Sequence, residues 1–174
     1  MIVGGWRGPG WQVVDADPGL GHQIRKWVVS VIARHGCPVD GDAAELCIGE
    51  MFANALEHGP AGGRVLVGYC LWREGARLVV CDGGGPGVPQ LLQTTEQGES
   101  GRGLRVVDAL ATGWGTFRAA RARVVWCDLG EPLDAAHGDA WAWLLLVLSV
   151  ERLSVPDRLG SAAAAGTMAG AGAR

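Results

Sequence analysis

Apolar positions in the first third of the chain recur mainly at helical spacing. A short apolar run, Trp11–Val14, predicts a strand, and Asp15–Pro18 supplies the N-cap chemistry with which a helix begins. The apolar stripe of that helix is formed by Leu20, Ile24, Trp27, Val28, Val31 and Ile32. This helix should end before Gly36. A second helix should run from about Asp40 to His58, where a Gly-Pro pair stops it.

Beyond residue 63 the apolar period changes to two, which is typical of strands. Arg64–Trp72 alternates between two faces, and a short turn joins it to a second strand, Ala76–Cys81, in an antiparallel hairpin. A glycine-rich stretch leads to a short helix over Gly101–Leu110 and then to two strands, about Gly113–Arg118 and Arg123–Leu129. Strands in hairpins and grouped helices predict an α+β fold, a two-layer sandwich with a mixed, mostly antiparallel sheet and helices on one face.

The composition changes from Gly130 onward. Trp141–Leu153 is apolar enough for one short helix, whereas Gly160–Arg174 is almost entirely Ala and Gly and is predicted to be disordered. The sequence therefore predicts one domain over residues 11–129, an extension over 130–159 and a tail over 160–174.

Composition and charge restrict the classes of function. The 29 glycines are irregularly spaced, which excludes collagen, and 48% hydrophobic residues exclude general disorder. A net charge of −3 gives no reason to expect nucleic acid. The five cysteines never show C-x-x-C spacing, which argues against a disulfide framework or a zinc site. No signal peptide or membrane-spanning run is evident, so we expect a cytoplasmic protein without a membrane partner.

Three polar residues share one face of the second predicted helix. Glu50, Asn54 and His58 are spaced four residues apart, so this face turns by only about 40° per step. Either the face is simply exposed to solvent, or it forms a site. In such a site Asn54 would offer an oxygen ligand to a hard cation, and Glu50 would act as general base toward a hydroxyl group or water.

Two further segments have the chemistry to contact a nucleotide. Asp82 ends a strand and could accept a hydrogen bond from an exocyclic amine such as that of adenine; the alternative is an ordinary Asp-Gly turn. Gly101–Leu104 opens a helix, whose N–H groups and positive dipole end favour phosphate. Val106 stands where the Rossmann motif needs Gly, and no P-loop sequence occurs, so both of those nucleotide folds are excluded.

The order of these segments resembles the GHKL superfamily of ATPases and, within it, the stand-alone anti-sigma factor serine kinases of actinobacterial type. The matching segments are Glu45–Gly59, Val80–Pro89 and Glu99–Gly115, and the resemblance covers roughly residues 11–129. It implies a histidine kinase-like ATPase fold that binds ATP and Mg²⁺. Sensor histidine kinases, gyrase-like proteins and chaperones of this superfamily need further domains, for which we expect no room in this chain.

The resemblance implies a role for each matched residue. Glu50 would be the catalytic base, and Asn54 would bind the Mg²⁺ that bridges the phosphates. Asp82 would accept a hydrogen bond from the adenine amine, and Gly84 would let the ring approach. A lid would extend from about Val88 to Ser100. The phosphates would be held at the start of the following helix, by Gly101, Arg102, Gly103 and Leu104.

Some details depart from the family pattern or have a second explanation. His58 matches the pattern but is equally explained as a structural residue at a helix end, and Arg102 could pair with phosphate or simply be exposed. The last glycine of the family's Asp-x-Gly-x-Gly run is displaced by one, which leaves the roles of Gly85 and Gly87 open. Relatives usually carry Thr where this chain has Val124, so we expect one adenine contact, worth about 1 kcal/mol, to be missing.

The resemblance leads to a functional expectation. The protein would phosphorylate Ser or Thr on an anti-sigma factor antagonist of the STAS type and would sequester a sigma factor, with a homodimer as one possible state. The first alternative is an ATP-gated protein-binding module without kinase activity. The second is a degenerate scaffold that binds no nucleotide.

Overall fold

The computed structural model describes residues 9–83, 102–119 and 122–131, which form one sheet with helices against one of its faces. The strands are β1 (Pro9–Asp15), β2 (Arg64–Trp72), β3 (Gly75–Asp82), β4 (Gly113–Ala119) and β5 (Ala122–Gly130). The helices are α1 (Gly21–Arg34), α2 (Gly41–His58) and α3 (Arg102–Leu110), with a 3₁₀ turn at Pro18–Leu20. The strands and helices predicted between residues 11 and 129 are found, with bounds shifted by a few residues, and the helix predicted over Trp141–Leu153 lies outside the described residues.

The strands lie in the order β1-β2-β3-β5-β4, and every neighbouring pair is antiparallel. After β3 the chain leaves the sheet, passes through α3 and returns at the edge as β4, so β5 is inserted between β4 and β3. This insertion pairs two strands that are distant in sequence. The α+β prediction is confirmed, and the sheet is wholly antiparallel where it is described.

The helix boundaries follow from local chemistry. The Asp17 side chain accepts a hydrogen bond from the Gly19 N–H at 2.8 Å, which starts the 3₁₀ turn, so the α-helix begins later than predicted, at Gly21. Asp40 caps α2 in the same way through the Asp42 N–H at 2.9 Å. The Gly59 N–H donates to the Ala55 carbonyl at 2.9 Å where α2 ends. Asp40 therefore caps α2, whereas α1 continues from the capped 3₁₀ turn without a side-chain cap of its own.

The two faces of the sheet carry separate apolar clusters, because successive side chains on a strand point to opposite sides. The helix-side cluster joins buried residues of α1, α2 and α3 to alternate residues of β2, β3 and β5. The far-side cluster contains the other alternate residues. Its buried members are Leu66, Cys70, Val79, Cys81, Ala122 and Val124. Any side chain that takes part in a site beside the helices must come from the first set.

Several predictions lie outside the described residues. These are the lid at 88–100, the tail at 160–174 and nearly all of the extension at 130–159. Within the described part of the chain, no helix is long and apolar enough to cross a membrane.

Candidate active site

The carboxylate of Glu50 lies against the beginning of α3. A Cβ atom placed on Gly103 would be only 2.5 Å from Glu50 Oε2, so the absence of a side chain at this position creates the space that the carboxylate fills. Glu50 is in the middle of α2 and Gly103 is the second residue of α3. The structure thus brings together two residues that the sequence assigned to one site although they are 53 positions apart.

The first turn of α3 has the properties of an anion site. Its leading N–H groups have no partner within the helix, and the helix dipole makes this end positive. The Leu104 side chain is 4% exposed and packs in the helix-side cluster, so only its backbone faces the chemistry that the sequence predicted. Burial of Leu104 and Val107 fixes the direction of the helix axis. The Glu50 carboxylate is therefore held at the positive end of a firmly packed helix.

Asp82 is buried and paired with a residue that the sequence reasoning missed. Arg123 on β5 lies directly opposite Asp82 in the β3–β5 register. Its Nε and Nη2 atoms donate to Asp82 Oδ2 at 2.9 and 2.7 Å, and both side chains are only 3% exposed. Asp82 is therefore a buried member of an ion pair at the end of β3.

The same guanidinium reaches the helix layer. Arg123 Nη2 also lies 3.4 Å from the backbone oxygen of Asn54. A Cβ atom on Gly59, at the end of α2, would lie 3.4 Å from the Cβ atom of Asp82. The strand end that carries Asp82 is therefore joined to the second half of α2, next to Asn54.

Val124 does not occupy the position that the sequence comparison gave it. It pairs with Cys81, one position before Asp82, and its side chain is fully buried in the far-side cluster. Because it points away from α2, its lack of a hydroxyl group removes no contact from the site. The expectation of a missing adenine contact at Val124 is wrong, and the residue that faces Asp82 is Arg123.

Asn54 carries a buried polar atom that lacks a partner. Among the side chains that the structure describes, Asn54 Nδ2 is the one buried nitrogen or oxygen atom that forms no hydrogen bond. Leaving such a group unpaired typically costs about 1–3 kcal/mol. An amide can also be turned over, which exchanges its nitrogen and its oxygen. Asn54 is thus suited to a ligand that supplies the absent partner.

His58 is the third residue of the predicted polar face. Its side chain is 41% exposed, and its Nε2 atom lies 3.9 Å from a carboxylate oxygen of the neighbouring Glu57. A contact between two exposed side chains contributes little to stability. The structural explanation of His58 as a residue at a helix end fits this position better than a role in the site.

A thiol pair anchors α2 to the sheet behind Glu50. Cys47 lies one helical turn before Glu50, and its side chain hydrogen-bonds to that of Cys127 on β5. This hydrogen bond, together with burial, raises the pKa of Cys127 well above its ordinary value. Both residues are fully buried, so this part of α2 is fixed on β5 and Glu50 is held on a rigid element.

An open groove of about 570 Å³ runs along the outer side of α2 and reaches Glu50. It is lined by Arg25, Asp42, Glu45, Leu46, Gly49, Glu50 and Ala53. Leu46 in this groove is 51% exposed and gives it an apolar contact surface. The stem of Arg25 crosses α2 above Gly49, where a Cβ atom would come within 3.1 Å of it. The groove therefore combines an apolar and a charged surface beside the carboxylate.

Part of the predicted site lies outside the described residues. This holds for Gly84 and Gly101 and for the displaced glycines at 85 and 87. Arg102 is the first residue of α3, and only its backbone is described. The roles of these residues stay predictions.

Comparison with known proteins assigns this arrangement to a family. The sequence model of the histidine kinase-like ATPase domain matches residues 14–124. The chain belongs to the histidine kinase-like ATPase family. No curated protein matches it. A similar solved structure is that of the RsbU and RsbW domains of Rv1364c from Mycobacterium tuberculosis, with a TM-score of 0.53 and 21% identity over 72% of this chain and 33% of that chain.

Within the family, the match includes α2, β3 and α3 and so contains Glu50, Asp82 and Gly103. The likeness to the Mycobacterium tuberculosis protein concerns the fold, since the identity is low and this chain spans about a third of that one. The GHKL resemblance read from the sequence is confirmed. The missed residue had one indication in the sequence: Arg123 precedes Val125, Cys127 and Leu129 in the alternation that points toward the helices.

Proposed function

We propose that this histidine kinase-like ATPase binds ATP between α2 and the start of α3 and transfers its terminal phosphoryl group to a Ser or Thr hydroxyl of a partner protein. The observation that carries this proposal is the Glu50 carboxylate against Gly103. A general base has to lie beside the phosphate-binding element to accept the proton of a hydroxyl group that attacks the phosphorus. The contact of Glu50 with Gly103, on a helix that packs on the sheet, supports this role.

The base end of the nucleotide would be recognised by Asp82. A carboxylate offers only acceptor sites, so it selects a base with an exocyclic amine at the point of contact. Arg123 donates two hydrogen bonds to Oδ2 and so holds the carboxylate in one orientation. This pairing supports adenine recognition by a group whose direction is set before the nucleotide arrives.

Asn54 fits a role toward Mg²⁺ and the phosphates. Its Nδ2 atom is buried and lacks a partner, as expected of a residue whose partner arrives with a ligand. Mg²⁺ prefers oxygen ligands and is commonly held by one or two protein groups together with phosphates. When bound, the ion would neutralise charge on the phosphates. Asn54 would supply its amide oxygen, and Glu50 would remain available to accept a proton.

The partner protein would dock in the groove along α2. A groove that ends at Glu50 gives a protein hydroxyl a path to the base, and the exposed Leu46 beside charged Arg25 and Glu45 offers mixed contacts. The resemblance to anti-sigma factor serine kinases makes a STAS-type antagonist the substrate to test first, and a sigma factor the second partner. With these partners the protein would act in the cytoplasm. That it forms a homodimer stays a prediction.

The test is a phosphorylation assay with γ-labelled ATP, Mg²⁺ and a STAS-type antagonist encoded in the same genome. Glu50→Gln should abolish the labelled phosphoprotein while the variant still binds ATP. Glu57→Gln, on the same helix but exposed and outside the groove lining, is the matched control for loss of a carboxylate. ATP binding without any phosphoprotein would favour the ATP-gated binding module. Full transfer by Glu50→Gln would contradict the assigned base.

A further inference from the structure

The sheet face that points away from the helices is buried without a described cover. Cys70, Val79 and Val124 are each 0% exposed there, and Leu66 and Cys81 are 1% exposed. The partners packed against them are Val13, Phe117 and Trp126, which are themselves strand residues. Neighbours within one sheet cannot enclose such side chains from above, since these stand roughly perpendicular to the sheet.

The strand sequences agree with burial on both faces. An antiparallel sheet with one wet face shows alternating apolar and polar residues, whereas strands covered on both sides read as nearly continuous apolar runs. β2, β3 and β5 are of the second kind, with seven buried residues of nine in β2, seven of eight in β3 and seven of nine in β5. The described helices, α1 to α3, account for the cover of only one face.

Two charged side chains on the far face, Arg77 and Asp128, are paired with each other, as a covered face requires. Arg77 donates to both carboxylate oxygens of Asp128 at 2.6 and 2.7 Å, and its guanidinium lies 4.3 Å from the centre of the Trp126 ring. A buried charge is tolerated only when it is paired and hydrogen-bonded. This pair lets an apolar segment lie over the face without leaving a charge unpaired.

We propose that the apolar segment Trp141–Leu153 of the same chain packs on the far face and forms the third layer of the domain. Trp141–Leu153 contains two Trp, five Leu and two Val in thirteen residues. The other stretches outside the described residues offer less apolar surface: 1–8 contains Met1, Ile2, Val3 and Trp6, and 84–101 contains Val88, Leu91 and Leu92. Trp141–Leu153 is therefore the longest apolar run that could cover the face.

The chain leaves β5 at a point from which Trp141–Leu153 can reach the far face. Trp72 Nε1 donates to the Glu131 carbonyl at 3.1 Å, and the Glu131 N–H donates to the Glu74 carbonyl at 3.0 Å, so the chain leaves the sheet beside the β2–β3 turn. The nine residues 132–140 span up to about 30 Å when extended. Five strands are about 19 Å across, and a thirteen-residue helix is about 20 Å long, so span and length suffice.

The buried cysteines give a direct readout, because two of them lie on each face, and the partly exposed Cys37 is left out of the comparison. Cys70 and Cys81 belong to the far-side cluster, and Cys47 and Cys127 belong to the helix-side cluster. Burial raises the pKa of Cys70 to about 12, which also suppresses its reaction with alkylating agents near neutral pH. Mass-spectrometric mapping of iodoacetamide labelling then reports each face separately in the full chain.

The full chain should protect all four cysteines. In Leu145→Asp/Leu148→Asp, labelling of Cys70 and Cys81 should rise about tenfold or more, while Cys47 and Cys127 stay protected. Ala163→Asp/Ala164→Asp in the tail is the charge-matched control and should change nothing. If the double variant does not fold, Leu148→Ala should still raise the labelling of Cys70 and Cys81 above that of the helix-side pair.

Two outcomes would overturn the proposal. One is rapid labelling of Cys70 and Cys81 in the folded full chain, which means that the face is open. The other is protection that persists in both Leu variants or that disappears on dilution as a dimer dissociates, which means that something other than this segment, such as a second copy, covers the face. Light scattering at the labelling concentration distinguishes these cases.

Discussion

Arg123 on β5 and Asp82 on β3 form a buried ion pair, with both guanidinium donors on a single carboxylate oxygen at 2.7 and 2.9 Å. The pair connects strands that are distant in sequence, and through the Asn54 carbonyl it reaches α2. The residue proposed to recognise the base is thus part of the packing between sheet and helices. If Asp82 recognises the base as proposed, substitutions at this position should change both stability and nucleotide binding.

Removing Arg123 should destabilise the fold strongly. Arg123→Met leaves the Asp82 carboxylate buried without its partner, and breaking a buried pair in this way typically costs about 3–5 kcal/mol of unfolding free energy. Urea denaturation measures this loss of unfolding free energy. Arg73→Met removes an Arg that is 84% exposed and pairs with Glu74 at the surface, so it should change stability little. Equal losses in the two variants would show that the Asp82–Arg123 pair has no special structural role.

Gly103→Ala should separate folding from activity. Glycine inside a helix is less stable than alanine by about 0.5–1 kcal/mol, and the atom that the new Cβ would meet is the flexible end of Glu50. The variant should therefore fold as well as the wild type or better. Phosphoryl transfer should fall because the carboxylate is displaced from the start of α3. A variant with normal transfer would mean that the position of Glu50 does not depend on this contact.

Asn54→Ala should also change stability and binding in opposite directions. Without nucleotide, the substitution removes a buried nitrogen that lacks a partner, so stability should be unchanged or higher by about 1 kcal/mol. The gain in ATP affinity that Mg²⁺ gives the wild type should be reduced. Thermal denaturation and ATP titrations with and without Mg²⁺ measure the two effects. A loss of stability in the nucleotide-free variant would contradict the conclusion that Asn54 Nδ2 lacks a hydrogen-bond partner.

Stability should fall at alkaline pH because of the buried thiols. The pKa of Cys70 is raised to about 12 in the folded chain, while a cysteine thiol in the unfolded chain has a pKa of about 8.5. Between these pH values the unfolded chain loses a proton that the folded chain keeps, so stability decreases as pH rises. The slope is about 1.4 kcal/mol per pH unit for each such thiol.

Urea midpoints across this alkaline range check the effect. Cys70→Ala should flatten the slope by the contribution of one thiol. Val79→Ala is the control, because it leaves a cavity on the same face without removing a thiol. A slope that is the same in Cys70→Ala and in the wild type would show that this thiol titrates no differently in the two states.

Local features of the fold were predictable because their determinants are local. The Asp40 cap, the Gly-Pro pair after His58 and the alternation of β2 fix elements within a few residues, and the structure confirms them. The proximity of Glu50 and Gly103 was predictable through the family resemblance. Helical periodicity alone left Glu50 on a face that could equally have been exposed to solvent.

The partner of Asp82 was not predictable in the same way. The β3–β5 register depends on how a strand beyond α3 returns to the sheet, and a shift of one residue exchanges the two faces of a strand. The family pattern, counted from the Val-Trp pair, assigned the adenine contact to position 124. The side chain of Val124 instead points to the far side of the sheet. The alternation of Arg123 with Val125 and Cys127 carried the needed information, but only the packing of α2 on the sheet decides which face belongs to the site.

The most direct test of the account compares ATP with inosine triphosphate by calorimetry on the unmodified full chain in the presence of Mg²⁺. The two nucleotides share their phosphates, and inosine lacks the amine from which Asp82 would accept a hydrogen bond. The account predicts saturable binding of one ATP per chain and inosine triphosphate affinity lower by about tenfold or more, the value of one hydrogen bond to a charged group. Equal affinities, or no saturable binding of ATP, would contradict it.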